Sequence, residues 1–165
     1  MSGQPFRLVR LSPEHERTTF SSASEPLNRY IRELVTQDIR RRITTCYVAL
    51  TDDDRIAAYY TLSAAHLDLS DLPASTQRKL PRYPTVPAIR LGRLAVDRSF
   101  ERQGLGGALL ADALHRAIQC EIAVYALVVD AKDESSQAFY RHHGFMSLPD
   151  SPLALFLPLK SAEAL

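Results

Sequence analysis

Hydrophobic and polar positions along the chain switch between a two-residue and a 3.6-residue period, and the switches predict alternating strands and helices. Phe6 to Leu11 alternates as a first strand, and Pro13 allows a turn after it. Between Pro26 and Arg41 the apolar residues Leu27, Tyr30, Ile31, Leu34 and Val35 recur at helical spacing. Arg29, Arg32 and Arg40 fall on the opposite side, so one amphipathic helix is expected there, with room for a break midway. Thr44 to Leu50 and Ile56 to His66 are rich in Tyr, Val, Thr and Leu and flank Asp52-Asp53-Asp54, the pattern of a hairpin. Pro73, Pro81, Pro84 and Pro87 make Asp68 to Pro87 a loop with one short helix around Ser75 to Leu80, and Ala88 to Val96 returns to strand. From Gly104 to Cys120, Leu110, Ala113, Leu114 and Ala117 form a core-facing stripe, and Ile122 to Val129 reads as a buried strand. Asp133 can cap a short helix reaching His142, Gly144 ends it, and Leu153 to Leu159 gives a last strand interrupted by Pro158.

This alternation without internal repeats is the pattern of an α/β protein, and 165 residues suit a single domain, 1–165. Composition adds exclusions. A net charge of +1 argues against strong nonspecific nucleic-acid binding while leaving room for a local basic surface. No apolar run reaches the roughly 18 residues of a membrane span, and MSGQPFRLVR lacks the apolar core of a secretory signal, so a cytoplasmic location is expected. The two cysteines, Cys46 and Cys120, form no CxxC pair; both read as small core residues, and no metal site is expected.

The most informative stretch is Leu91 to Leu110, LGRLAVDRSFERQGLGGALL, where a strand runs into a glycine-rich turn and then a helix. Gly104, Gly106 and Gly107 remove side chains where the backbone must approach a ligand, and the helix start leaves its first N–H groups free to meet an anion. No Lys-Ser or Lys-Thr follows the glycines, and Leu109 stands where a dinucleotide fingerprint needs its third glycine. A different phosphate-bearing ligand is indicated.

This block and Asp130 to Phe145, DAKDESSQAFYRHHGF, follow one another in the order and spacing of the GCN5-related N-acetyltransferase (GNAT) superfamily, which the chain resembles over most of its length. A narrower likeness, in Phe20 with Leu27-Asn28-Arg29-Tyr30, Ala58-Tyr59-Tyr60-Thr61-Leu62 and Leu91 to Asp97, is to the GNAT toxins of bacterial toxin–antitoxin pairs. The resemblance implies a mixed central sheet of about six to seven strands flanked by helices. It implies acetyl-CoA as cofactor, held by Leu94, Ala95, Val96, Arg102, Gln103, Gly104, Leu105, Gly106, Gly107 and Ser135. It further implies acetylation of the α-amine of an aminoacyl-tRNA, a block of translation, a small ribbon-helix-helix antitoxin and a homodimer. Glu101 departs from the superfamily, which usually has Gln or Arg three places before the first glycine. A carboxylate pointing inward there would oppose a pyrophosphate.

Acyl transfer to an amine needs a neutral nucleophile, a polarised thioester carbonyl and a stabilised leaving thiolate. The resemblance gives Tyr140 the last role, and the backbone N–H of Leu94 suits the carbonyl. No side chain stands out as a general base, which mildly favours an α-amine acceptor, because such an amine titrates near 7.7 to 8.0 against about 10.4 for lysine. His142 and His143 read as surface residues, and His66 and His115 as ordinary ones without a catalytic part. Arg29, Arg32, Arg40, Arg41 and Arg42, Arg78, Lys79 and Arg82, and Arg90 and Arg93 offer a tRNA surface, though solvated helix faces explain the first group as well. Two other functions fit the same residues: a non-toxic N-acetyltransferase of a small or protein amine, and an acyl-CoA-binding module without turnover.

Overall fold

In a computed structural model of the chain, which describes residues 6–163, the tyrosine- and valine-rich segments pair with one another. Strands β2 (Thr45–Leu50) and β3 (Ile56–Asp68) are antiparallel from Thr45↔Leu62 to Leu50↔Ile56, joined by a turn in which Asp54 takes φ 62°. Strand β1 (Arg7–Arg10) pairs with β2. Strand β4 (Thr85–Val96) runs parallel to β5 (Ala126–Asp130), and β7 (Ser151–Pro158) lies antiparallel between β5 and β6 (Met146–Leu148). The strands form one mixed seven-stranded sheet in the order β1-β2-β3-β4-β5-β7-β6.

The chain divides into two compact units, Met1–Ser63 with Gly92–Ala113, and Ala64–Leu91 with Leu114–Leu165. In the first, the amphipathic helix is broken where its pattern allows. Helix α1 (Glu25–Arg29) starts at Ser24, whose side chain accepts from the Leu27 N–H, passes into a π-helical turn (Tyr30–Leu34), and resumes as α2 (Val35–Arg40). The wide turn frees a carbonyl, and Arg17 takes it: its guanidinium donates to Ile31 O at 3.0 Å and to Thr36 Oγ1 at 2.9 Å. The inner face, Tyr30, Ile31 and Val35, is buried against Phe20, Cys46, Val48, Leu50, Ile56, Tyr59 and Ala95. Each large side chain removed from water here contributes roughly 1.5–3 kcal/mol.

The second unit packs Leu67, Leu72, Val86, Ala88, Ala126, Val128 and Phe156 into its own core. Its helices include α3 (Ala74–Gln77), α5 (Glu134–His142) and α6 (Leu159–Glu163); the longest helix, α4 (Leu105–Gln119), begins in the first unit and ends in the second.

Several boundaries differ from the sequence reading. Strand β4 begins at Thr85, not Ala88, because the Pro87 carbonyl can still accept from Tyr125 N–H although its nitrogen donates nothing. The short helix covers Ala74–Gln77 rather than Ser75 to Leu80. Strand β5 starts only at Ala126; Ile122 lies outside it and is 76 % exposed. Three-residue β6 and the closing α6 were not expected. The α4 stripe is Leu105, Leu109, Leu110, Ala113 and Ala117, with Leu114 half-buried.

Cys120 is exposed, contrary to its reading as a core residue, whereas Cys46 is buried and its thiol is pushed up to about 12 by loss of solvation. A thiol reagent at neutral pH is therefore expected to label Cys120 in the folded protein and both cysteines after denaturation. Native labelling of Cys46 would contradict that burial. No helix among the described residues is long and apolar enough to cross a membrane.

Candidate active site

The parallel ladder of β4 with β5 ends at Leu91↔Val129, and Gly92 to Val96, which belong to the first unit, carry β4 on beyond it. The opposite edge stays tied, with Asp97 N–H donating to Ala57 O at 2.8 Å. Ala95 is buried in the core and Leu94 and Val96 are half-buried, so this strand end is fixed by packing while one row of its backbone groups remains available.

After a 3₁₀ turn at Arg98–Phe100 the chain makes an exposed turn through Glu101, Arg102, Gln103 and Gly104 and enters α4. Two residues of the turn are left-handed, Arg102 at φ 65° and Gly104 at φ 77°. A Cβ at Gly104 would meet nothing within 4 Å, so glycine is required there by backbone conformation rather than crowding. The first backbone bond of α4 runs from Ala108 N–H to Gly104 O at 3.1 Å, placing the amides of Leu105, Gly106 and Gly107 ahead of the helical ladder. These amides at the positive end of a 15-residue helix, with Arg102 beside them and Glu101 in solvent, suit a pyrophosphate. A strand edge leading to an anion cradle fits an extended, phosphate-bearing ligand such as acetyl-CoA.

Asp97 holds this segment, and the sequence reading gave it no role. It is 2 % exposed; its carboxylate accepts from Ser21 N–H (2.9 Å) and Ser99 N–H (2.8 Å) and lies 3.5 Å from the Arg55 guanidinium. Arg55 in turn lies over the Phe100 ring at 5.0 Å. The signal available in sequence was an Asp immediately after a strand and two residues before a Ser, the pattern of a capping side chain.

In the second unit, α5 starts where expected, with the Asp133 side chain accepting from Ser136 N–H at 2.8 Å and Gly144, at φ 96°, closing its C-terminus. Ser135 is exposed in the first turn. Tyr140 is 8 % exposed and packs edge-on against Phe139 and Phe145, with ring centroids 5.2 and 5.6 Å away. Burial pushes its phenol up to about 12. His142 is exposed; His143 is half-buried, its Nδ1 2.9 Å from Phe139 O.

The arginines separate into two groups. Arg32 is half-buried and donates to Phe20 O, Arg93 lies 3.5 Å above the Tyr30 ring, and Arg90 pairs with Asp130. Arg29 faces Glu33 at 3.7 Å, both exposed. Arg40, Arg41, Arg42, Arg78, Lys79 and Arg82 are exposed.

Residues 9–145 match the acetyltransferase (GNAT) family. The chain belongs to that family. A curated relative, the tRNA-acetylating toxin of Mycobacterium tuberculosis (strain ATCC 25618 / H37Rv), is 35 % identical over 158 residues, 94 % of this chain and 93 % of the relative. Among solved structures, AtaT complexed with acetyl-methionyl-tRNAfMet is 30 % identical with a TM-score of 0.88, covering 97 % of this chain and 98 % of that one. A Tyr→Phe mutant of AtaT, bound to the C-terminus of the antitoxin AtaR and to acetyl-CoA, is 26 % identical with a TM-score of 0.80, covering 97 % of each.

As a GNAT acetyltransferase the chain has the expected mixed sheet with flanking helices, and the block from Leu91 to Leu110 lies inside the matched residues. Most of Asp130 to Phe145 is a capped helix in the same span.

Proposed function

We propose that this GNAT acetyltransferase transfers the acetyl group of acetyl-CoA to the α-amine of an aminoacyl-tRNA and acts as the toxin of a toxin–antitoxin pair. The observation that carries this reading is the likeness to a tRNA-acetylating toxin over 94 % of the chain. Acetyl-CoA supplies an activated acetyl thioester.

The chain's own groups have separate tasks. The free edge at Leu94, Ala95 and Val96 takes the extended arm of the donor as an added strand, and the Leu94 N–H polarises the thioester carbonyl. The amides from Gln103 to Gly107, with Arg102, hold the pyrophosphate, and Ser135 adds a contact from α5. Tyr140 donates from Oη to the departing sulfur. With its phenol at about 12, complete transfer to a thiolate of pKa about 8.5 would be uphill by about 5 kcal/mol, so it acts as a hydrogen-bond donor rather than a proton source. The acceptor amine needs no strong base, since about a quarter of an α-amine with pKa near 8 is neutral at pH 7.5. Exposed Arg40, Arg78 and Arg82 meet tRNA phosphates, joined by Arg29, whose pair with Glu33 is itself exposed; Arg32, Arg90 and Arg93 are held by partners in the protein and contribute less.

The full proposal includes one acetyltransferase domain over residues 1–165, a homodimer, a small ribbon-helix-helix antitoxin, and action in the cytoplasm where charged tRNA is found. The direct test incubates the protein with radiolabelled acetyl-CoA and total charged tRNA, beside deacylated tRNA, peptides and small amines. Label on charged tRNA alone, resolving to a defined isoacceptor, is the expected result. Label only on a peptide or small amine would replace the toxin reading with an ordinary acetyltransferase.

A further inference from the structure

The proline-rich segment between α3 and β4 carries an exposed aromatic ring in a run free of acids. Tyr83 is 65 % exposed, the one exposed phenylalanine or tyrosine ring among the described residues. No Asp or Glu occurs between Asp71 and Arg90, and Arg78, Lys79 and Arg82 in that interval are all exposed. Among the described residues these three cations have no carboxylate within ion-pair distance, whereas Arg90 is paired with Asp130.

The segment is also held in place. Leu80 packs against the second unit's core, the Gln77 side chain donates to Leu72 O at 2.8 Å, and Leu69 N–H donates to Pro84 O at 2.9 Å. Pro81 and Pro84 fix their own φ angles, and Pro84 restricts the backbone of Tyr83 to extended conformations. A flat ring on a pre-ordered backbone, flanked by unpaired cations, matches a single-stranded nucleic acid, in which each base is joined to a phosphate. An acidic peptide would satisfy the cations but leave the ring in water.

We infer that Tyr83 is a stacking platform for an unpaired base at the acceptor end of the tRNA, with Arg82 and its neighbours Arg78 and Lys79 on the adjoining phosphates. This rests on tRNA as the substrate and adds a residue that reads single-strandedness rather than charge. Because the ring is exposed, its truncation leaves the core packing untouched.

Two measurements test the assignment. In steady-state acetylation of charged tRNA, Tyr83→Ala is expected to raise KM about tenfold, while Tyr83→Phe and Tyr83→Trp keep the wild-type value. In anisotropy titrations with a labelled single-stranded RNA carrying the tRNA 3′ end, Tyr83→Ala weakens binding by a similar factor without changing its salt dependence. Arg82→Ala instead reduces the slope of log K against log salt by about one. A KM for Tyr83→Ala within about twofold of wild type, or equal oligonucleotide affinities, would overturn the platform even if charged tRNA is acetylated. If charged tRNA is not a substrate, the substrate reading fails separately, and the oligonucleotide titration still decides the role of Tyr83. Binding of polyglutamate in place of the oligonucleotide would also overturn it.

Discussion

Tyr140→Phe is expected to lower kcat for acetyl transfer by about a hundredfold while acetyl-CoA binding, measured by calorimetry, changes by less than about twofold. The substitution removes one oxygen from a ring that is otherwise packed against Phe139 and Phe145, so the fold and the donor's other contacts remain. On the proposed mechanism it removes the donor to the sulfur as charge develops there, an interaction stronger in the transition state than before it. The pH profile gives a second reading of the same group. Burial raises the phenol to about 12, so Tyr140 keeps its proton through the physiological range and should impose no descending limb below about pH 11. The wild-type kcat/KM should therefore rise with pH along one limb set by the acceptor amine. An unchanged kcat in Tyr140→Phe would take the residue out of the reaction.

Asp97→Ala is expected to be the most destabilising single change near the site, costing about 3 kcal/mol and lowering the melting temperature by about 10 °C. Truncation leaves the N–H groups of Ser21 and Ser99 without their acceptor and frees Arg55 from its carboxylate. Asp97→Asn should fall between the two, since its single carbonyl oxygen can serve one amide while its NH₂ faces the other. At temperatures where Asp97→Ala stays folded, the segment from Arg98 to Gly104 keeps only the backbone bond from Arg98 N–H to Ser21 O, and KM for acetyl-CoA should rise more than kcat falls. A melting temperature within about 2 °C of wild type would mean that the two amides find other acceptors.

The two predictions rest on residues of unequal visibility in sequence. Tyr140 stands in a helix announced at both ends, by Asp133 as cap and Gly144 as terminator, so local chemistry was enough to place it. The glycine turn was legible for the same reason, although only Gly104 has the left-handed backbone and the second such residue is Arg102. Asp97 was not legible because one of its partners, Ser21, is 76 residues away and carries no periodicity that points to it. Distance also hid the state of the arginines: Arg93 meets Tyr30 and Arg32 meets Phe20 through packing that no helical wheel contains. Strand β6 escaped because three residues are too few to show alternation, and β4 began early because prolines that break local patterns can still accept in a ladder. Cys120 misled because an apolar neighbourhood in sequence lay beyond the end of α4, in solvent.

The π-helical turn at Tyr30–Leu34 has a consequence for how this surface can vary. Each residue added to or removed from a helix turns everything after it by about 100°. Closing this turn to a regular α-helix with the same residues would swing Val35 out of the core, whereas deleting one residue inside the turn would leave Val35 on its face and remove only the freed Ile31 carbonyl that Arg17 meets. A one-residue change of length is therefore absorbed inside the turn at the expense of the Arg17 contact, whereas the same change within α2 would turn every residue after it off its face.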